Sequence, residues 1–140
     1  MRKLNQEKIV RLLDANFNRV QEGLRVCEDV NRFIFDQKSW TRQYKDIRHK
    51  LRDIQTKMFI AKAKAVQSRD IGRDVGKAPN PLELKRKNVK DIFWANSQRV
   101  KEALRVLEEF AKLMDVRSAV ELKNIRYSIY ALERKVAAKF

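Results

Sequence analysis

A fifteen-residue segment occurs twice in this chain, at residues 15–29 and again eighty positions later at residues 95–109. Nine of the fifteen positions carry the same amino acid in both copies. A shorter likeness follows each copy, at residues 45–49 and 123–127. The chain is therefore a duplicated unit, and a repeat with so long a period has to be identified before the fold is.

The repeat keeps polar side chains as well as the spacing of apolar ones. An α-helix advances by about 100° per residue, so the apolar residues of the first copy fall on one stripe: Leu13, Phe17, Val20, Leu24 and Cys27. Asn16 lies inside that stripe and Arg19 on its edge, and Asn96 and Arg99 repeat the arrangement. Unpaired polar groups are costly to bury. The pattern indicates either a buried polar network that links two helices or a polar cavity that both repeats build.

The charge balance limits the classes of partner. The chain has 33 Lys or Arg and 18 Asp or Glu, for a formal net charge of +15. This surplus suits an anionic partner such as a nucleotide or a phosphorylated metabolite. Acidic residues are mixed with the basic ones, and the densest basic run, residues 85–87, is too short to indicate nucleic-acid binding. No apolar run approaches the ~20 residues of a membrane-spanning helix, so we expect neither nucleic acid nor membrane as a partner.

Length and cysteine content complete this picture. A chain of 140 residues is one domain with a core of its own. The single cysteine, Cys27, occupies an apolar helical position, which is more typical of a small core residue than of a nucleophile. A lone thiol excludes an internal disulfide and, with no signal peptide visible, predicts a cytoplasmic protein. A homo-oligomer stays open.

Apolar residues recur at spacings of three and four, which predicts four helices. The first runs from about residue 5 to residue 35. The second follows a short polar break, with Ser39 as a plausible N-cap, and its apolar series is unbroken: Trp40, Tyr44, Ile47, Leu51, Ile54, Met58, Ala61 and Ala65.

The second half of the chain repeats this plan. The third helix starts near either Asn80 or Asn88 and ends near Leu113, with this seam: Ile92, Ala95, Arg99, Ala103, Val106 and Phe110. The last helix begins at a capping box, residues 118–121, and its apolar residues reach almost to the C-terminus: Leu122, Ile125, Ile129, Leu132 and Val136.

We therefore expect an all-α fold without strands, a pseudo-twofold four-helix bundle made of two duplicated antiparallel hairpins. Residues 1–140 form a single domain. Repeat one covers about 5–66, a connecting segment covers 67–81, and repeat two covers about 82–140.

The connecting segment is the long irregular part of the chain. It holds both prolines and two of the three glycines, and a loop of this length inside a compact domain is often functional. The positively charged Arg69 can bind a phosphate group. Asp70 and Asp74 are oxygen ligands of the kind that Mg²⁺ uses beside substrate phosphates. The alternative is a plain linker that joins the two repeats.

Several other charged side chains have two interpretations. Glu22, Arg25 and Glu28 can form ion pairs with their neighbours on the outer face of the first helix, which stabilises a helix only slightly. Arg48 flanks the seam of the second helix. His49 lies beside it and is more typical of a surface residue than of a catalyst, since its counterpart in the second repeat is Tyr127.

The chain resembles the all-helical domain that is often fused N-terminal to thiamine-phosphate synthase. The likeness covers nearly the whole sequence and depends on the order and spacing of its pieces. These are Asp14-Ala15-Asn16-x-x-Arg19-x-x-Glu22-Gly23-Leu24-Arg25-Val26-x-Glu28-Asp29, Ile47-Arg48-His49, Arg69-Asp70 with Asp74-Val75-Gly76, and Ala95-Asn96-x-x-Arg99-Val100-x-Glu102-Ala103-Leu104-Arg105-Val106-Leu107-Glu108-Glu109. The synthase barrel is absent, so we expect a free-standing version or a fragment of a fusion.

The resemblance implies an activity in thiamine biosynthesis. The family is regarded as a hydroxymethylpyrimidine-phosphate kinase unrelated to the ribokinase-like enzymes of that pathway. By resemblance, the γ-phosphoryl group of ATP moves to 4-amino-5-hydroxymethyl-2-methylpyrimidine phosphate and gives the diphosphate. Mg²⁺ is the implied cofactor, ATP the co-substrate, and thiamine-phosphate synthase a possible partner.

Phosphoryl transfer needs charge neutralisation and alignment more than covalent chemistry. We expect inward-pointing Arg19 and Arg99 to act with Asp70 and Asp74 as the catalytic set, the two aspartates holding Mg²⁺. The predicted substrate- and phosphate-binding residues are Asn16, Asn96, Arg48, Arg126, Arg69, Gly76, Glu22 and Glu102. For Glu22 and Glu102, surface ion pairing explains the sequence equally well.

Two other functions stay open at this point. A non-catalytic helical module that docks thiamine-phosphate synthase or another partner predicts a stable complex and no ATP turnover. A basic helical nucleic-acid binder predicts an affinity that falls steeply with salt, and it gives no reason for the repeated Asn and Glu residues.

Overall fold

A computed structural model describes residues 3–58, 67–81 and 83–140. Over these residues the fold contains four long helices and no strand, which confirms the all-α prediction. The helices are α1 (Lys3–Asp29), α2 (Lys38–Met58), α3 (Val89–Ala111) and α4 (Val116–Ala137). A π-helical turn, Val30–Ile34, continues α1, and a 3₁₀ turn, Ile71–Arg73, lies in the connecting segment. The predicted seam residues Ala61 and Ala65 and the residue Leu82 lie outside the described residues.

The start of α3 decides between the two predicted N-caps. Asn88 Oδ1 accepts a hydrogen bond from the backbone N–H of Asp91 at 2.9 Å, which is the usual N-cap interaction. Asn80 instead closes a separate turn, because its Oδ1 accepts from the N–H of Glu83 at 3.1 Å. The start near Asn88 is confirmed, and the one near Asn80 is wrong.

Two other predicted caps are wrong because the helices begin earlier. α4 is capped by Asp115, whose carboxylate accepts from the N–H of Arg117 at 3.1 Å and from the hydroxyl of Ser118 at 2.7 Å. These bonds lower the pKa of Asp115, the Ser118 hydroxyl most of all. Ser118 therefore lies inside the first turn of α4. Ser39 likewise lies inside α2, which begins at Lys38.

The core lies between a central pair, α1 and α3, and two outer helices. α2 packs on α1, α4 packs on α3, and α2 also contacts α4. α1 and α3 are antiparallel, since the C-terminal part of α1 meets the N-terminal part of α3: Cys27 Sγ is 4.0 Å from the carbonyl oxygen of Phe93. This is the predicted arrangement of two repeated hairpins.

α1 and α3 approach most closely at Gly23. A Cβ atom there would lie 2.7 Å from Val100 Cγ2 and 3.1 Å from the carbonyl oxygen of Asn96. Real Cβ contacts are essentially never shorter than 3.0 Å. Glycine at this position therefore lets the two repeats pack at their crossing point.

The predicted seam of α3 is confirmed at Ala103, which is buried, and at Phe110, which packs against the core, but it is wrong by one position elsewhere. Ile92 and Arg99 are exposed and Val106 is half-buried. The buried residues follow each of these by one: Phe93, Val100 and Leu107. They are the counterparts of Leu13, Val20 and Cys27 in α1, so α3 buries the same stripe as α1. The seams predicted for α4 and, up to Met58, for α2 are confirmed. None of the described helices is long and apolar enough to cross a membrane.

Candidate functional site

The repeated polar residues meet on one solvent-facing surface of the α1–α3 pair. Positions 15, 19, 22 and 26 are spaced by four, three and four residues, so they form one stripe on α1. The matching stripe on α3 holds positions 95, 99, 102 and 106. We call these eight residues the open face: Ala15, Arg19, Glu22, Val26, Ala95, Arg99, Glu102 and Val106.

An ion pair joins the two halves of the open face. Arg99 Nη2 of α3 lies 3.5 Å from Glu22 Oε2 of α1. Arg19 lies one turn before Glu22 on α1, on the same stripe. The two repeats therefore build one composite face rather than two separate ones.

Arg19 and Arg99 do not point into the core. Arg19 is exposed, and the side chain of Arg99 is 54% exposed. The prediction that they point inward is wrong, because the stripe that holds them is turned about a third of a helical turn away from the buried stripe. Both guanidinium groups are accessible to a ligand from solvent.

Asn16 and Asn96 have matching roles within their own helices. The Nδ2 of Asn16 donates to the carbonyl oxygen of Leu12 at 2.9 Å, and that of Asn96 donates to Ile92 at 2.8 Å. Asn16 Oδ1 in turn accepts from Arg19 Nη1 at 3.3 Å. Asn16 thus orients Arg19, and it does not belong to a network between helices.

The open face is more alike in the two repeats than the core beneath it. All four of its positions are identical in α1 and α3. Among the five core positions of α1 from Leu13 to Cys27, only Val20 and Leu24 have identical counterparts. Packing does not explain agreement on a face that is largely exposed, so a ligand is the better explanation.

Arg48 and Arg126 hold the outer helices to the central pair. Arg48 Nε and Nη2 donate to the two oxygens of Glu28 at 2.7 and 3.2 Å. In the second repeat, Arg126 Nε donates to Glu108 Oε2 at 3.0 Å, and this bond is the main cause that raises the pKa of Arg126. Both arginines were predicted to bind phosphate. The structure places them in structural ion pairs, and their phosphate-binding role stays a prediction.

Glu28 and Glu108 are buried, with side chains 5% exposed. The sequence placed Glu28 on the outer face of its helix, which is wrong because α2 covers it. The repeated glutamates and the repeated arginines of the shorter likeness are thus partners. His49, next to Arg48, is exposed.

The connecting segment is fastened to α1 beside the end of the open face. Arg69 donates through Nε and Nη2 to the carboxylate of Asp14 at 2.7 and 3.1 Å. Arg11, one turn before Ala15, donates to the carbonyl oxygen of Asp70 at 2.9 Å. Asp14 is 3% exposed whereas Arg69 is 45% exposed, and hydrogen bonding to Asp14 raises the pKa of Arg69.

Asp14 and Arg11 were missed as site residues by the sequence analysis. The signal for Asp14 was its place directly before the repeat, where its counterpart is Trp94. A carboxylate on the buried side of only one repeat indicates a partner outside the bundle, and that partner is Arg69.

Asp70 and Asp74 each cap the loop that holds them. Asp70 Oδ1 accepts from the N–H of Arg73 at 3.1 Å, and Asp74 Oδ1 accepts from the N–H of Gly76 at 2.9 Å. Among the described residues, no group of three or more His, Cys, Asp or Glu side chains is arranged to hold a metal ion. The donor set nevertheless fits Mg²⁺, which is usually held by one or two carboxylates together with substrate phosphates and water.

The fold gives no reason for glycine at position 76. A Cβ there would touch only Asp74 Oδ1, at an ordinary 3.6 Å, and φ is not positive. Gly76 is exposed, so its missing side chain leaves room for a ligand beside the loop.

Comparison with known proteins identifies the family of the chain. A model of the ThiD2 family matches residues 11–135, which is most of the chain. The chain belongs to the ThiD2 family. The match includes the open face and its adjoining loop.

Members of the ThiD2 family occur within longer proteins. The chain is similar to the thiamine-phosphate synthase of a Synechocystis species, with 37% identity over 134 residues that cover 95% of the chain and 37% of the relative. The synthase of Nostoc punctiforme is 37% identical over 129 residues, covering 91% and 35%. That of Rhodopirellula baltica is 36% identical over 132 residues, covering 94% and 35%. The chain thus spans about a third of the curated relatives' length. No solved structure matches it.

Proposed function

We propose that this protein phosphorylates hydroxymethylpyrimidine phosphate to the diphosphate, with ATP as the phosphoryl donor and Mg²⁺ as the cofactor, as a step of thiamine biosynthesis. The open face carries this proposal: it presents two exposed arginines and two exposed glutamates, identical in both repeats, and the ion pair between Arg99 and Glu22 joins its two halves. The relatives support the pathway, because those similar to nearly the whole chain are named thiamine-phosphate synthases.

Arg19 and Arg99 are suited to clamp phosphate groups. A guanidinium group binds phosphate oxygens with two parallel hydrogen bonds and keeps its charge at every physiological pH. They lie on neighbouring helices of one exposed face, which suits a reaction in which two phosphate-bearing molecules have to be aligned. Arg69, held by Asp14 at the end of the face, is placed to supply a third positive charge.

Asp70 and Asp74 are the residues that would hold Mg²⁺, whose charge would neutralise the β- and γ-phosphates. Glu22 and Glu102 are suited to orient water around these charges. The acceptor is a phosphate oxygen that is already largely ionised at neutral pH, so the step needs no strong general base. The bond from γ-phosphorus to the bridging oxygen breaks, a bond to the acceptor oxygen forms, and ADP leaves.

The decisive experiment incubates the purified protein with ATP, Mg²⁺ and hydroxymethylpyrimidine phosphate and measures formation of the diphosphate and of ADP. Unphosphorylated hydroxymethylpyrimidine serves as a parallel substrate. We expect product from the phosphate and at least tenfold slower turnover in Arg19→Ala and Arg99→Ala, since one charged hydrogen bond to a phosphate is worth roughly 1.5–3 kcal/mol.

Arg25→Ala is the matched control. Arg25 also has an identical counterpart, Arg105, and lies on the same helix, but it faces Glu28 and Asp29 at 3.8 Å rather than the open face. Its turnover should stay near that of the wild type. If a well-folded protein makes no diphosphate, the kinase proposal fails and docking to thiamine-phosphate synthase becomes the better explanation. If the kinase is active and Arg19→Ala and Arg99→Ala are too, the open face is not its site.

A further inference from the structure

The stripe of the open face continues toward the start of each helix, and there the two repeats differ in charge. On α1 the preceding positions hold Lys8 and Arg11, and on α3 their counterparts are Asn88 and Asp91. The members of each pair are three residues apart, and the second lies four residues before the open face, so the stripe is continuous. The four pairs of the open face are identical in the two repeats, whereas the two pairs beside it are not.

This difference falls at opposite ends of the open face, because α1 and α3 are antiparallel. We call these the Arg11 end and the Asp91 end. Arg19 lies about two turns from Arg11, and Arg99 lies about two turns from Asp91. Each end therefore has one of the two repeated arginines, but the neighbours of these arginines have opposite charge.

The connecting segment adds donors to the Arg11 end. Arg11 Nη2 donates to the carbonyl oxygen of Asp70 at 2.9 Å, which uses one of the five N–H donors of a guanidinium group. Arg69 uses two of its donors on Asp14, and its side chain stays 45% exposed. Asp14 compensates part of the charge of Arg69, whereas Arg11 bonds a neutral carbonyl group and keeps its full charge. Asp70 and Asp74, the residues that would hold Mg²⁺, belong to the same segment.

The Asp91 end presents different chemistry. Asp91 Oδ2 accepts from the backbone N–H of Lys87 at 3.0 Å, and Asn88 Oδ1 caps α3. Both side chains are therefore engaged at the start of the helix, and the carboxylate adds a negative charge. Lys87 comes one residue before Asn88, about 100° away around a helix, so it is not part of the stripe. The Asp91 end consequently disfavours a group with several negative charges.

We propose that the duplicated face is functionally one-sided. The Arg11 end binds the polyphosphate tail of the nucleoside triphosphate, with Lys8, Arg11 and Arg19 as phosphate ligands. The acceptor, which has a single phosphate, binds at Arg99 toward the Asp91 end. A triphosphate carries more negative charge than a phosphate monoester, so it gains more from the cations of the Arg11 end. The identity of the two ligands rests on the proposed function, whereas the difference between the ends does not.

Calorimetric titration with inorganic tripolyphosphate and Mg²⁺ tests the Arg11 end without turnover. Arg19→Ala and Arg99→Ala are the matched pair, since both arginines are exposed and occupy the same place in the two repeats. We expect Arg19→Ala to bind the probe at least tenfold more weakly, because a charged hydrogen bond to phosphate is lost. Arg99→Ala should stay within about threefold of the wild type, since salt screens a more distant exposed charge.

Lys8→Ala and Arg25→Ala each remove one exposed positive charge from α1, the first on the stripe and the second off it. None of the described contacts of the connecting segment involves Lys8, so Lys8→Ala leaves that segment attached. We expect Lys8→Ala to weaken binding of tripolyphosphate at least fivefold and Arg25→Ala to change it much less. Thermal midpoints near that of the wild type verify that both variants are folded.

Three results would overturn the inference. One is a wild-type protein that does not bind tripolyphosphate. Another is an equal loss in Arg19→Ala and Arg99→Ala, which would show that the two ends are equivalent. The third is an equal loss in Lys8→Ala and Arg25→Ala, because binding would then follow net charge alone.

Kinetics of the active enzyme test both ends together. Lys8→Ala should raise the KM for ATP and leave the KM for hydroxymethylpyrimidine phosphate unchanged, whereas Arg99→Ala should raise the second KM. The opposite assignment would contradict the inference. The two proposals fail separately. A protein that binds tripolyphosphate at the Arg11 end but forms no diphosphate disproves only the kinase, and one that forms the diphosphate with equal losses in the matched pair disproves only the one-sided face.

Discussion

On the open face, Ala15, Arg19, Glu22 and Val26 all have identical counterparts in α3, whereas the core stripe beneath them has changed at Leu13, Phe17 and Cys27. Duplicated helices that only had to pack would show the reverse, since cores are close-packed and exposed positions are free to drift. The difference indicates that a requirement other than packing acts on the open face.

The fold itself accounts for some of the repeated residues. Arg25 and Glu28 are repeated, and the structure gives each a partner: Glu28 pairs with Arg48, and Arg25 lies 3.8 Å from Glu28. The second repeat does the same with Glu108, Arg126 and Arg105. Only the repeated residues of the open face are left without a structural explanation.

The largest expected effect is a loss of stability, and it tests the buried ion pair between Glu28 and Arg48. Arg48→Ala leaves the carboxylate of Glu28 buried without its bidentate partner, and removal of one member of a buried pair costs about 3–5 kcal/mol. Urea unfolding followed by circular dichroism measures the loss. The double variant Glu28→Leu/Arg48→Met should lose much less, because no charge stays buried. A loss below about 1 kcal/mol in Arg48→Ala would contradict the buried pair.

The same change in the second repeat should cost less. Arg126 is 15% exposed, and Glu108 keeps a hydrogen bond from Arg105 at 3.1 Å, whereas the corresponding Arg25 lies 3.8 Å from Glu28. We expect Arg126→Ala to lose about 2 kcal/mol, since the remaining pair still compensates the glutamate. Equal losses in the two repeats would mean that Arg105 contributes nothing.

The next prediction concerns Gly23, whose counterpart in the second repeat is Ala103. Glycine is required at position 23 because α1 and α3 cross there. Gly23→Ala places a methyl group 2.7 Å from Val100 Cγ2, and overpacking of this kind costs about 1–3 kcal/mol. The control is Ala103→Gly at the matching position, which should lose about 0.5–1 kcal/mol through helix propensity. Val100→Ala combined with Gly23→Ala should recover part of the loss. A stabilised Gly23→Ala would show that the helices cross elsewhere.

Local patterns and the repeat predicted the fold from sequence, whereas the site depended on contacts that no local pattern contains. The buried stripe of α4 and the Asn88 cap follow from spacing and from the chemistry of an N-cap. The burial of Glu28 could not be predicted, because only the position of α2 shows that it is covered. The seam of α3 was misplaced at Arg99 because that side chain was assumed to face inward. Alignment of Val100 with Val20 would have corrected this assumption.

The next prediction concerns the connecting segment, which Asp14 and Arg11 hold to α1. Asp14→Ala removes both hydrogen bonds to Arg69. Since Arg69 is 45% exposed, the lost pair is worth only about 1–2 kcal/mol to overall stability. Hydrogen exchange of residues 69–76 should nevertheless become faster and turnover should fall. Asp46→Ala, an exposed change on α2, is the control. Unchanged exchange in Asp14→Ala would show that this pair does not hold the loop.

The smallest expected effect concerns Cys27, which has an ionisable thiol where its counterpart Leu107 has none. Burial raises the pKa of Cys27 from its ordinary 9.0 to about 12. Below pH 9 the thiol is protonated in both states, so its contribution to stability is fully present. Between pH 9 and 12 the unfolded chain loses this proton and the folded one keeps it, so the free energy of unfolding falls as pH rises, by about 1 kcal/mol near pH 9.5–10. Cys27→Ala, with its unfolding followed from pH 7 to 10, should lose this part of the alkaline slope. An unchanged slope would mean that the thiol is more accessible than its burial indicates.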